Sequence, residues 1–77
     1  MARDGDLPRA AMHRICKKAG AERVSASAAL ELAQILEEVG VEIGEDALEY
    51  MMHAGRRTLK AKDIRIAAKK MFGSRRL

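Results

Sequence analysis

From about Ser25 to His53 the chain holds one helical pattern that the rest of the sequence is too short to cover. Some 28 residues at about 1.5 Å each make a helix of roughly 42 Å. Ser25 or Ser27 has the side chain to cap its first amides, and Gly55 closes it. At about 100° per residue, Glu31, Glu38, Glu42, Glu45 and Glu49 fall within one narrow stripe. Leu30, Leu32, Ala33, Leu36, Val39, Val41, Ile43, Ala47, Leu48, Tyr50 and Met51 spread over the remaining arc of about 200°. Ile35 and Glu37 fit neither side of this division.

Two shorter helical stripes flank the long one. Pro8, Ala11, Met12, Ile15, Cys16 and Ala19 recur at helical spacing, with Arg9, Arg14, Lys17 and Lys18 largely off the stripe and Gly20 as the stop. Ile64, Ala67, Ala68, Met71 and Phe72 form the other, with Lys62, Arg65 and Lys69 mostly elsewhere. No long stretch alternates apolar and polar residues, and Tyr50 and Phe72 are the only aromatics, so the expected class is all-α. Two helices of about three turns cannot cover an apolar arc of about 200° along the whole long helix. Soluble monomers rarely leave so large an apolar patch open. A second copy crossing the first is the simplest cover, with Leu32, Leu36, Val39 and Ile43 as its expected core. Gly40 and Gly44 each cost about 1 kcal/mol in a helix interior relative to alanine, and they lie on or beside the apolar arc. They point to a close crossing of two long helices.

A chain of 77 residues has room for one domain, and a monomer of that size buries only about 60% of its unfolded surface. Cys16 is the only cysteine, so no internal disulfide supplements the core and a reducing, cytoplasmic setting is the default. Arg3, Asp4, Asp6 and Pro8 are wrong for a secretory leader, and no run approaches the roughly 18 apolar residues of a membrane span. The expected protein is soluble and has no membrane partner.

The net charge of +4 conceals a segregated pattern. Residues 1–25 hold six cations and three acids, and residues 55–77 hold nine cations and Asp63 as the one acid. Residues 26–54 carry seven acids and no Lys or Arg. Two basic ends around an acidic middle point to a polyanion-binding surface built from the ends, although charge runs are often only solvated faces.

Groups for catalysis are missing. His13 and Cys16 sit three apart on the first helix, but two ligands without a second pair make no zinc site. No Gly-rich phosphate loop, nucleophile elbow or metalloprotease pattern is present. The expectation is a protein that is not an enzyme, with no metal, cofactor or small-molecule substrate. His53 ends the long helix, where an imidazolium suits the helix dipole, and an interface role is expected for it.

Two segments carry a family resemblance. Ala19-Gly20-Ala21-Glu22-Arg23-Val24-Ser25 lies between the first and second helices. Ala54-Gly55-Arg56-Arg57-Thr58-Leu59-Lys60-Ala61-Lys62-Asp63-Ile64 lies between the second and third. Together they resemble the two DNA-binding loops of archaeal histones, and the likeness extends from Leu7 to about Phe72 with the same short, long, short order of helices.

That resemblance implies a histone fold and an intertwined handshake homodimer, in which the first loop of one copy lies beside the second loop of the other. It implies that Arg23 enters the DNA minor groove, held by Thr58 of the second copy. Arg14, Lys17, Arg57 and Lys60 would contact the phosphate backbone, with Arg57 standing where the family usually has a lysine. Arg56 and Asp63 match an intrachain ion pair that fixes the second loop; the residues alone allow a plain surface pair as well. Tyr50, His53 and Asp63 match positions that join dimers into tetramers, with Tyr50 in place of a more usual leucine and Met52 of a more usual basic residue. Gly20 matches the small residue that lets successive turns of wrapped DNA stack closely. The implied layout is a short arm over residues 1–6, a histone-fold domain over 7–73 and a basic tail over 74–77. The implied function is packaging of double-stranded DNA in the nucleoid, by bending or wrapping with little base reading, as dimers, tetramers or filaments. The rival readings are a regulatory histone-fold protein that works with a different partner chain, and a helical dimerisation scaffold with no nucleic-acid role.

Overall fold

The computed structural model describes residues 7–73; the expected arm and tail lie outside the described residues. Three helices account for nearly all of it: α1 over Arg9–Lys18, α2 over Ala26–His53 and α3 over Ala61–Phe72. There is no strand among the described residues. The chain divides between Val39 and Gly40 into two compact units, and α2 contributes its first half to one and its second half to the other.

In the first unit, Pro8 stands immediately before α1 with φ of −65°, where a missing N–H costs nothing, and its carbonyl accepts the Met12 amide at 3.2 Å. Lys17 and Lys18 occupy the last turn, where cations oppose the negative end of the helix dipole. The helix then stops in a Schellman turn: Ala21 N–H donates to the Cys16 carbonyl and Gly20 N–H to the Lys17 carbonyl. Gly20 has φ of +119°, which side-chain-bearing residues rarely adopt. Ser25 opens α2 by accepting the Ala28 amide on its Oγ at 3.0 Å.

Met12 is the centre of this unit's core, packed with Ala29 and Ala33 of α2 and bordered by Leu7, Ala11, Val24, Leu32 and Leu36. Alanines at 29 and 33 allow the long Met12 side chain to approach the backbone of α2. The acidic stripe of Glu31, Glu38, Glu42, Glu45 and Glu49 is solvated, with all five side chains exposed.

The second unit repeats the turn that ends α1. Arg56 N–H donates to the Met51 carbonyl and Gly55 N–H to the Met52 carbonyl, with Gly55 at φ of +71°. Asp63 then acts from the first turn of α3, accepting the Lys60 amide on Oδ2 at 2.9 Å, which is the returning half of a capping box. Ala47 and Ala67 are the buried apolar residues among those described in this unit, and Lys70 meets Asp46 at 3.4 Å on the surface. That pair is solvated and contributes little to stability.

Among the described residues the buried apolar ones are Met12 and four alanines, while ten large apolar side chains are exposed, among them Ile35, Val41, Leu48, Met52, Ile66 and Phe72. A core so small cannot offset the chain entropy lost on folding. Open space surrounds the positions where Gly40 and Gly44 would carry a Cβ within the single chain. Ile35, which fitted neither face of the sequence pattern, is 47% exposed.

Candidate nucleic-acid interface

The two interhelical loops have the same length and begin with the same turn, so residues three past each glycine correspond: Arg23 in the first loop and Thr58 in the second. Each loop is held by one cation that reaches a main-chain carbonyl. In the first, Lys17 Nζ donates to the Glu22 carbonyl at 3.0 Å. Val24, the residue after Arg23, packs against the Met12 core. Arg23 thus projects from a segment anchored on both sides; it is exposed and borders an open hollow with Cys16, Val24, Ser25 and Ala28.

In the second loop, Arg56 grips Asp63 with a fork of two bonds, Nη1 to Oδ2 and Nη2 to Oδ1, both 2.8 Å. The same Nη1 donates to the Thr58 carbonyl at 3.0 Å. Asp63 is 1% exposed, so this is no ordinary surface pair. With the Lys60 amide added, both carboxylate oxygens are engaged and no buried side-chain polar atom among the described residues lacks a partner. Arg57, Thr58 and Lys60 are exposed around that frame.

The electrostatics follow from the geometry. The Arg56 hydrogen bonds, then the Lys60 amide, hold the Asp63 carboxyl well below the usual carboxylate range, and Asp63 in turn raises Arg56. A carboxylate whose folded value is depressed contributes stability above its unfolded value, and that contribution is lost as pH falls below about 4. Asp63→Asn should therefore melt below the parent at neutral pH, by a margin that narrows steadily as pH drops from about 4 towards 2. Thermal melts of both proteins across that range check this; a margin independent of pH would show that the charge is not what holds the loop.

Arg14 is exposed on α1, Tyr50 is half-buried and His53 is exposed. His53 Nδ1 meets the Glu49 carbonyl at 3.0 Å; since a carbonyl only accepts, Nδ1 carries the proton and Nε2 is left for an outside partner. Leu32 and Leu36 border the first unit's core, and Val39 and Ile43 are half-buried. Among the described residues no three His, Cys, Asp or Glu side chains converge in a way that could hold a metal, and no helix is long and apolar enough to cross a membrane. Two features were not foreseen from sequence: the lysine tie on the first loop, whose acceptor is a main-chain atom, and the near-complete burial of Asp63.

The family model for histone-like transcription factors (CBF/NF-Y) and archaeal histones matches residues 6–68, spanning α1, the long helix, both loops and most of α3. The chain belongs to the archaeal histone family. Its short, long, short arrangement of helices is the histone fold. An archaeal histone of Thermococcus zilligii, named as one of the subunits of HAN1, is 53% identical over 64 residues, covering 83% of this chain and 96% of that relative. Probable archaeal histone 3 of Methanocaldococcus jannaschii is 44% identical over 62 residues, covering 80% and 92% respectively. Both comparisons span almost the whole of each relative, so the likeness is to complete histones and not to a shared fragment.

Proposed function

We propose that this histone acts without catalysis, as a handshake homodimer that packages double-stranded DNA in the nucleoid by bending or wrapping it. The observation that carries this reading is the pair of matched loops, each fixed from inside by its own cation while a second set of basic residues is left exposed. A flexible basic loop would give up binding energy to ordering; a fixed one presents its charges in register with a phosphate backbone. Arg14, Lys17, Arg57 and Lys60 would contact phosphates, and Arg23 would enter a minor groove beside Thr58 of the second copy. Recognition of this kind reads groove width and deformability instead of base edges. Tyr50 and His53 supply the surface for joining dimers, with Asp63 setting the loop beside them.

Sizing the protein alone and on long duplex DNA, followed by nuclease footprinting, tests the packaging reading. Protected lengths that rise in regular steps support continuous assembly along DNA, one fixed length supports a closed particle, and no protection at all refutes packaging. Affinity should fall steeply with salt and vary little with sequence. Arg57→Gln should weaken binding to every duplex alike and make the log–log salt dependence shallower by about 0.9 for each phosphate no longer neutralised. A salt-independent affinity, or strong preference for one operator, would count for the regulatory reading.

That second reading has one specific observation in its favour: the relative with 53% identity is named as a subunit. A chain that stays monomeric alone and forms a dimer only with a different histone-fold protein would establish it.

A further inference from the structure

We infer that Lys17 is a positioning residue for Arg23, and not only one more phosphate contact. The inference rests on the DNA-binding reading of the first loop. Lys17 lies in the last turn of α1, and its ammonium crosses the loop to the Glu22 carbonyl, the main-chain atom immediately before Arg23. On the other side of Arg23, Val24 is seated against Met12, Ala29 and Ala33. The Lys17 tie therefore closes the one free side of a segment whose other side the core already holds.

The second loop supplies an independent comparison. It starts with the same turn and is equally long, yet its position equivalent to Lys17 is Met52, which has no donor. There the task falls to Arg56, whose Nη1 donates to the Thr58 carbonyl while its fork holds Asp63. The corresponding position of the first loop is Ala21, which cannot do this. One fold thus solves the same problem twice, with an arginine on a buried carboxylate in one loop and a lysine on a bare carbonyl in the other. An ammonium that gives one proton to a carbonyl keeps two donors for phosphate, so holding the loop and neutralising DNA are compatible roles.

A phosphate contact and a positioning residue differ in what they leave behind. Lys18→Met removes the same charge from the neighbouring position of the same helix and is the control for charge alone; Lys17→Arg keeps both charge and reach. In the free protein, amide exchange over residues 21–24 should quicken in Lys17→Met, stay at the parent rate in Lys18→Met and be restored in Lys17→Arg. On DNA, Lys17→Met should bind about fivefold more weakly than Lys18→Met, the weight of one hydrogen bond. In an Arg23→Ala background that difference should shrink to the part owed to the direct phosphate contact of Lys17, because the positioning part acts through Arg23. Equal exchange rates in all four proteins, or a Lys17→Met effect that simply adds to Arg23→Ala, would overturn the inference while leaving the DNA-binding reading intact. Should Arg23→Ala itself bind duplex DNA as the parent does, the reading beneath it fails and the inference with it.

Discussion

Replacing Ile43 or Val39 by a charged residue should abolish folding, leaving a chain with no helical signal in circular dichroism at neutral pH. Both side chains are half-buried in the single chain and stand near the middle of the long helix. Among the described residues the apolar side chains that the single chain buries are one methionine and four alanines, far too little to hold the fold on its own. If two copies cross at Gly40 and Gly44, Val39 and Ile43 enter the shared core, and a charge there costs several kcal/mol of desolvation with no partner to offset it. Domains of this kind have only about 5–15 kcal/mol of total stability, so one such substitution consumes most of it. If the dimer and not the monomer is the folded species, the parent protein should show the complementary behaviour, an unfolding midpoint that rises with protein concentration. Sedimentation and melting at several concentrations decide the matter. A monomeric mass with a midpoint independent of concentration would remove the handshake from this account, as would a well-folded Ile43→Lys.

The second large effect concerns Arg23. Arg23→Ala should lower duplex affinity by more than tenfold, about what loss of one well-placed charged contact of 1–3 kcal/mol produces, while leaving the melting of the protein nearly unchanged because the side chain is exposed. Arg23→Lys keeps the charge but loses the planar guanidinium, and an ammonium cannot fill a narrow groove or be held by a neighbouring hydroxyl in the same way. It should bind more weakly than the parent and lose preference for A·T-rich duplexes, whose narrow minor groove has the most negative potential. Thr58→Ala should resemble Arg23→Lys and add little to it, since partners in one network are not additive. Binding of the four proteins to a mixed pool of duplexes, with melting measured in parallel, separates these outcomes. Were Arg23→Lys to bind and bend every duplex as the parent does, Arg23 would be one surface charge among many.

Much of the architecture was already legible as text. The expected helix from Ser25 to His53 is observed over Ala26–His53, with Ser25 as the cap, and the two stops fall at Gly20 and Gly55 as the pattern implied. These features are local: a helix period, a capping hydroxyl and a glycine that tolerates positive φ act within a few residues of themselves. The acidic stripe and the shortage of core followed from the same periodicity, because the direction in which a helical side chain points is fixed by its number. So, too, the family could be recognised from two loop segments, since the residues that shape a loop are contiguous.

What the residues by themselves could not disclose was how firmly each cation is engaged, although the family resemblance had already marked Arg56 and Asp63 as a pair. Arg56 and Arg57 are adjacent and of one type, and the residues alone allowed a plain surface pair for Arg56; in the fold it is locked onto a carboxylate that is 1% exposed while Arg57 stands exposed beside it. Lys17 and Lys18 divide in the same manner, through the bond that Lys17 makes to the Glu22 carbonyl. The reason is physical: an ion pair's weight depends on how far its partners are removed from water, and a main-chain acceptor leaves no mark in the sequence because every residue has one. Periodicity, caps and stops were set by neighbours along the chain and could be read there, whereas burial and carbonyl acceptors exist only once α1 and α3 have folded against α2.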